Sequence, residues 1–338
     1  MFPVRTTNYL AALLIACAAC AHAADLSLRQ GDLELTLDDA TGALAGISYK
    51  GEALLTSPAG RSPVSFGVGP KDKTQWFESF SAHGTGTVLK HEQVGADTLE
   101  VTIQAGDFEL LERYKLHTHP ARIDRSISLT NRGAATVALR NFNFKTPGVL
   151  AGNTEGFYRF PQQWPPNSHP FSALKPGQKV SGRGALAPLI AQLSPSRSLV
   201  WLSFANDPSG IRVEEGPGRF DVVQDVWATG YMKPNQPQEI GFVSMLVLDA
   251  GYWDALPVLW QWMDNVGLKV PADRPAWVQD AILYSFHPGG TIGSGFKDLG
   301  GFKNATEYLL PTLPKLGANA IWIMPIEQKS PYWPFDYY

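Results

Sequence analysis

Apolar and polar residues alternate over most of this chain. Leu33, Leu35 and Leu37 stand two apart, as do Leu99, Val101 and Ile103; Ile127 and Leu129, then Val137 and Leu139, continue the pattern. A period of two marks strands with one buried face. Turn-forming groups separate the runs: Asp39-Ala40-Thr41-Gly42, Gly84-Thr85-Gly86, Asn131-Arg132-Gly133 and Lys175-Pro176-Gly177. Many short strands between such turns predict a large antiparallel β-sandwich or barrel. No convincing helical period interrupts residues 24–250. That span lies within the roughly 250 residues that one all-β domain can reach.

The pattern then changes. Trp253, Leu256, Trp260 and Met263 recur at helical spacing and predict a helix over 252–266. Pro257 inside it predicts a kink or a late start, and Gly267 is placed to stop it. Pro271-Ala272-Asp273-Arg274-Pro275 reads as a linker. Ala281 to Phe286 and Ala320 to Ile326 are short apolar runs, as expected of strands buried on both faces. Between them, Asn304 is an N-cap for a helix from about Ala305, with Glu307 near a capping-box position. Pro311 and Pro314 shorten or break that helix. Strand, helix and strand in this order make a βαβ unit with a right-handed crossover.

Composition narrows the classes. A chain of 338 residues has room for two domains. At 44% hydrophobic residues it can pack a core and is not a disordered chain. The net charge is -3 with Lys and Arg scattered, which excludes the basic stripe of a nucleic-acid binder. The 10 Trp, 11 Tyr and 17 Phe can fill a core; aromatic faces also pack on the apolar face of a pyranose ring.

The N-terminus reads as an export signal. Arg5 precedes an apolar run from Leu10 to Cys20, too short for the roughly 20 residues that span a bilayer. Ala21-His22-Ala23 is a cleavage site of the A-x-A kind. A lipoprotein box ending at Cys17 is the less favoured alternative, because it leaves a very short apolar segment. Cys17 and Cys20 are the two cysteines, and cleavage after Ala23 removes both. The exported chain then has no disulfide and no thiol chemistry. No later segment is long and apolar enough to span a membrane.

Two stretches carry resemblances. Gly42 to Gly51 reads as a strand, a Gly turn and a second strand ending in Gly. It resembles the opening of the galactose-mutarotase-like supersandwich, which precedes the catalytic barrel in many glycoside hydrolases. Glu112-Arg113-Tyr114-Lys115 and Ile123 to Asn131 are similar to its middle strands. The tail closely resembles the start of the α-amylase family. Ile282 to Phe286 matches the first barrel strand, and Asp298-Leu299-Gly300-Gly301 matches the loop D-L-x-G. Leu316 to Ile326 matches L-G-x-N-x-I-W-x-x-P-I at every fixed position. Pro331 to Tyr338 is similar to the following loop, with Pro331 in place of Gly.

The second resemblance implies an exported enzyme that hydrolyses α-glucosidic bonds of α-glucans with retention. The active site of such a barrel lies at the C-terminal ends of its strands. It implies that Tyr332 stacks on the sugar next to the scissile bond, that Trp333 extends the platform, and that Asp336 fixes the loop. The paired carboxylates of a retaining glycosidase follow later strands in that family. No catalytic residue is assigned here, and the chain alone is expected to be inactive. No cofactor is assigned either; calcium is common in the family, with ligands mostly beyond these residues.

The expected fold is therefore mainly β: a signal peptide over 1–23, a supersandwich over 24–250 and a helix and linker over 251–275. A (β/α)8 barrel begins over 276–338 and is truncated after its second strand. The alternative is a non-catalytic carbohydrate-binding β-sandwich with a barrel remnant; another barrel family carrying a supersandwich is a third reading.

Other residues are weaker candidates. His117 and His119 share a strand face but lack a visible third metal ligand. Glu214, Glu215, Asp221 and Asp225 read as solvated charges. Trp76, Phe77, Phe80 and Trp164 read as core before sugar platform. Glu327 reads as a loop residue, and Gly293-Ser294-Gly295 lacks a phosphate-loop context.

Overall fold

The computed structural model describes residues 26–57, 64–70, 81–83, 86–150, 156–159, 168–173, 179–183, 188–204, 209–216, 219–226, 230–265, 267, 269–286, 303 and 305–323. The expected signal segment with Cys17, and Trp76, Phe77, Phe80, Trp164, Asn304, Glu327, Tyr332 and Trp333, lie outside these residues. So do the turn groups at 84–85 and 175–177 and the loops 293–295 and 298–301. The chain divides into two compact units, Met1–Met263 and Asp264–Tyr338.

The first unit is mainly β. Its first strands are β1 (Leu26–Gln30), β2 (Leu33–Leu37), β3 (Leu44–Tyr49), β4 (Glu52–Thr56), β5 (Val64–Pro70), β6 (Ser81–His83) and β7 (Thr87–Gln93). Longer ones follow: β8 (Thr98–Ala105), β9 (Phe108–Thr118), β10 (Ala121–Asn131) and β11 (Val137–Leu150). Then come β12 (Phe157–Arg159), β13 (Ser168–Pro170), β14 (Lys179–Arg183), β15 (Leu189–Ser194) and β16 (Arg197–Phe204). The last are β17 (Ser209–Gly216), β18 (Arg219–Val226), β19 (Gly230–Met232) and β20 (Pro237–Leu248). One sheet runs β1-β2-β3-β4-β11-β18-β17-β14, with β5 and β19 on β11 and β6 on β5. The other runs β13-β12-β15-β16-β20-β10-β9-β8-β7. All strand pairs within these two sheets are antiparallel.

The period-two residues fill the space between the sheets. Leu33, Leu35 and Leu37 are buried, as are Leu99, Val101, Ile103, Ile127, Leu129 and Leu139. They belong to one apolar cluster drawn from both sheets, which makes the unit a sandwich. Aromatic rings cross the gap. Phe66 on β5 meets Phe108 on β9 edge to face at 5.3 Å, and Trp201 on β16 meets Phe220 on β18 at 6.2 Å. At one end Arg197 bonds Glu52 (3.2 Å) and Asp249 (3.1 Å), while Lys50 and Tyr49 also reach Asp249. This clasp joins the β3–β4 hairpin of one sheet to the start of β16 and the end of β20 in the other.

Gly46 does not turn the chain. It lies inside β3, where Thr36 pairs with Gly46 and Leu37 with Leu44, so Ala45 is an extra residue. The glycine marks a β-bulge, and the turn comes at Lys50-Gly51 instead. Both residues have positive φ, 53° and 77°, as a two-residue hairpin turn of the primed kind requires.

The predicted helix forms as α1 (Tyr252–Asn265), with Pro257 inside it and Gly267 at φ 91° just beyond. Its buried face differs from the expected one. Tyr252, Ala255, Leu259 and Trp262 are buried, whereas Trp253 and Trp260 are 71% and 60% exposed. Both stripes have helical spacing, so spacing could not choose between them. The outer face of the second sheet chooses, through Ile190, Val200, Leu202, Leu246 and Leu248. Two anchors hold that rotation: the Tyr252 N–H donates to the Gln192 side chain at 2.7 Å, and a Cβ on Gly251 would come within 2.7 Å of the Pro195 carbonyl. β20 is thus covered on both sides. Val243, Met245 and Val247 face the inter-sheet core, and Leu246 and Leu248 face α1.

The second unit holds α2 (Ala276–Gln279), β21 (Leu283–Phe286) and β22 (Ala320–Ile323). β21 and β22 pair in parallel. The helix expected from Ala305 appears as a π-type turn over Ala305–Leu309 and a 3-10 turn over Leu313–Leu316. Pro311 falls at the break and Pro314 in the first turn of the second segment. The two strands are not buried on both faces as their apolar runs predict. Ile282, Leu283 and Trp322 are 58%, 59% and 60% exposed, because two strands alone have no layer above or below them among the described residues.

Candidate functional site

The sequence points to the loop after β22, and the structure shows how the chain arrives there. Pro314 sits in the first turn of the 3-10 segment, where a missing N–H is tolerated. Gly317 ends it at φ 78°, a left-handed conformation that suits glycine. Its N–H donates to the Pro314 carbonyl and that of Ala318 to the Leu313 carbonyl, both at 3.0 Å. The turn is closed and the chain enters β22.

Asn319 then joins the two strands. Its Nδ2 donates to the Asp280 carbonyl at 2.9 Å, and its Oδ1 accepts from the Ile282 N–H at 2.7 Å. The backbone N–H groups of Asn319 and Ala320 donate to the Ile282 carbonyl at 3.2 and 3.3 Å. From there Leu283 pairs with Ala320 and Phe286 with Ile323. Parallel strands end on the same edge, so the chain leaves Phe286 and Ile323 side by side. Tyr332 and Trp333 follow later in the sequence and lie outside the described residues. Gly317 and Asn319 therefore have backbone work within the block Leu316 to Ile326. The block's spelling contains them, but their roles emerge only from the hydrogen bonds.

The first unit carries three polar clusters. Glu112 and Arg125 form an ion pair between the sheets, with Glu112 fully buried and Arg125 nearly so. Arg125 also donates to the Lys145 carbonyl of the opposite sheet at 3.1 Å and lies over the rings of Tyr114 and Phe144. Burial opposes its charge, but Glu112 and Tyr114 outweigh burial and raise its pKa. Burial pushes the Tyr114 hydroxyl well above its ordinary range. Gln224 adds a second bridge, donating to the Leu202 carbonyl (2.8 Å) and the Ser203 hydroxyl (3.1 Å). The adjoining cavity, lined by Tyr114, Arg125, Thr146 and Gln224, measures about 30 Å³. That admits a water, not a sugar, since ligand pockets start at roughly 300 Å³.

On the outer face of the second sheet, Asp124 accepts from Arg122 at 2.8 and 3.0 Å and from Ser244 at 2.5 Å. His117 Nε2 lies 2.8 Å from the same carboxylate. Burial, then Arg122, lowers the His117 pKa against the opposing pull of Asp124. His119 is an exposed turn residue before a cis proline. The two histidines thus diverge, and no metal-holding group of three His, Cys, Asp or Glu occurs among the described residues.

On the outer face of the first sheet, Arg212 bonds Glu214 at 2.7 Å and also pairs with Asp225. Asp221 accepts from the Gly148 N–H at 2.8 Å. These acids are not the solvated charges the sequence predicts. Glu112, Asp124, Glu214 and Asp225 are each committed to an arginine, so none of these pairs stands ready as nucleophile and acid.

No protein-family model matches the chain, and no curated protein matches it. Solved structures do. The chain is similar to a GH36 alpha-galactosidase from Geobacillus stearothermophilus at 12% identity and TM-score 0.49, over 90% of this chain and 56% of that one. It is similar to a putative aldose 1-epimerase from Escherichia coli K12 at 10% identity and TM-score 0.47, over 66% of this chain and 98% of that one. An alpha-galactosidase from Lactobacillus brevis shares 11% identity at TM-score 0.48, over 88% of this chain and 48% of that one. The chain spans 41% of the length of another Geobacillus galactosidase that it matches. No helix among the described residues is long and apolar enough to cross a membrane.

Proposed function

We propose that this chain is the front part of an exported glycoside hydrolase of the α-amylase type, acting on α-glucans with retention. The block Leu316 to Ile326 carries the reading. Its described half supports a second barrel strand: a glycine-capped turn, an asparagine that ties two strands, and parallel pairing with β21. In such a barrel the substrate lies at the edge where parallel strands end. The sugar contacts are assigned to Tyr332 and Trp333, by stacking on the apolar face of the ring. The mainly β unit before it is read as a galactose-mutarotase-like supersandwich, and residues 1–23 as the export signal. The nucleophile and the acid/base are assigned to no residue of this chain, and calcium to no site in it.

Two measurements test the proposal. The gene is read past the codon for Tyr338; a frame holding Gly-x-Arg-x-Asp and then a Glu-bearing strand end is the expected result. Affinity for maltoheptaose is measured by calorimetry on the chain and on Tyr332→Ala. The expected loss is about tenfold, the ~1.4 kcal/mol of one aromatic contact. A stop codon after Tyr338, with glycan binding indifferent to Tyr332→Ala and Trp333→Ala, would leave a non-catalytic carbohydrate-binding sandwich.

A further inference from the structure

A parallel pair of four residues per strand is weakly specified. Sliding one strand by two residues keeps every side chain on its face. Burial normally forbids such slips, but Ile321, Trp322 and Ile323 are all exposed and cannot choose a register. Asn319 can. We infer that Asn319 is a positioning residue: its side-chain amide sets the register of β22 against β21, and with it the offset at which the chain leaves Phe286 and Ile323. The amide engages two groups two residues apart on the neighbouring segment, the Asp280 carbonyl and the Ile282 N–H. A slip by two residues breaks both bonds. Toward Ala276–Gln279 it sets the amide against helical backbone with no equivalent pair; the other way it meets the Ile282 carbonyl and Tyr284 N–H, so the amide acts as a stop in one direction. Asparagine alone offers a donor and an acceptor on one planar group at this reach; aspartate offers only acceptors, leucine neither, and glutamine places the group one carbon further out. The inference goes beyond the glycan reading and does not depend on it.

Amide hydrogen exchange and cross-strand contacts, followed by NMR on the 338-residue chain, test it. In the unsubstituted chain the Ile282 amide is expected to be protected and Leu283 to contact Ala320. Asn319→Leu is expected to speed exchange at Ile282 roughly tenfold, the loss of about one hydrogen bond, while β2 and β10 amides stay unchanged. Asn319→Asp keeps the acceptor but loses the donor to Asp280. Its Leu283–Ala320 contact is expected to weaken at pH 7 and return near pH 3, where the introduced carboxyl is protonated and can donate. Loss of fold in the strand pair for any other reason would show no such return. An unprotected Ile282 in the unsubstituted chain overturns the inference; so does a protected Ile282 in Asn319→Leu, or an Asn319→Asp pattern insensitive to pH. No sugar enters these readouts, so their failure is separate from failure of the glycan reading.

Discussion

Glu112 and Arg125 sit where an ordinary sandwich places leucines. Each has an aliphatic neighbour two residues along its own strand, Leu110 and Ile123, both buried in the core. A charge there persists only because the two are paired on adjacent strands and Arg125 also bonds the Lys145 carbonyl of the opposite sheet. Removing one partner strands the other, so Arg125→Met is expected to cost about 3–5 kcal/mol in urea unfolding. Replacing both, with Glu112→Leu added, is expected to recover most of that loss. His117 gives a pH dependence of known sign. Its folded pKa is lowered from the ordinary 6.5, first by burial. Protonation therefore favours the unfolded chain, and this group's share of stability is present above about pH 6.5 and lost as pH falls through the folded value. The drop in melting temperature between pH 7.5 and 5 is expected to shrink in His117→Gln.

Elements owe their exact form to a few contacts made elsewhere. β11 contains Pro147-Gly148, an unusual pair for an interior strand, and its register shifts there. Gly148 has φ 69°, and a Cβ on it would lie 2.3 Å from the Thr56 carbonyl oxygen. Gly148→Ala is expected to destabilise the first unit by about 1–3 kcal/mol from the backbone conformation alone, and more once the clash is added, measured by thermal melting. Helix α1 offers a paired comparison. Trp262→Ala removes a buried indole and is expected to cost about 3–5 kcal/mol. Trp253→Ala alters an exposed one and is expected to stay within about 0.5 kcal/mol. Equal effects would mean that the helix is rotated from the orientation seen.

At the scale of the whole molecule, the first unit contains two apolar cores, one between the sheets and one between the second sheet and α1. Every residue in either core precedes Asp264. A chain ending at Asn265 is therefore expected to keep a single cooperative transition, followed by Trp201 near-ultraviolet dichroism. Two separate transitions would show that α1 and its core melt apart from the sandwich. The second unit is the reverse case, since its two strands expose most of their apolar side chains.

Much of the first unit was legible in the sequence. Alternation alone picked out Leu33, Leu35 and Leu37, because a pleated strand with one wet face must alternate. Helix α1 and its stop at Gly267 were legible for the same local reason, as was the break between Ala305 and Leu316, which two prolines force. The α1 face was not, because two stripes share one spacing and only a facing sheet distinguishes them. The bulge at Gly46 was not, because a glycine's local freedom serves bulge and turn alike. The partners of Glu112 and Asp225 were not, because each lies on a neighbouring strand whose register no local pattern records. So too with Asn319: the sequence by itself determined that a strand begins there, while only the tertiary structure decided what its amide holds. Local patterns encode the period at which residues face in or out; what they face, and in α1 which stripe is buried, depends on segments distant in the chain.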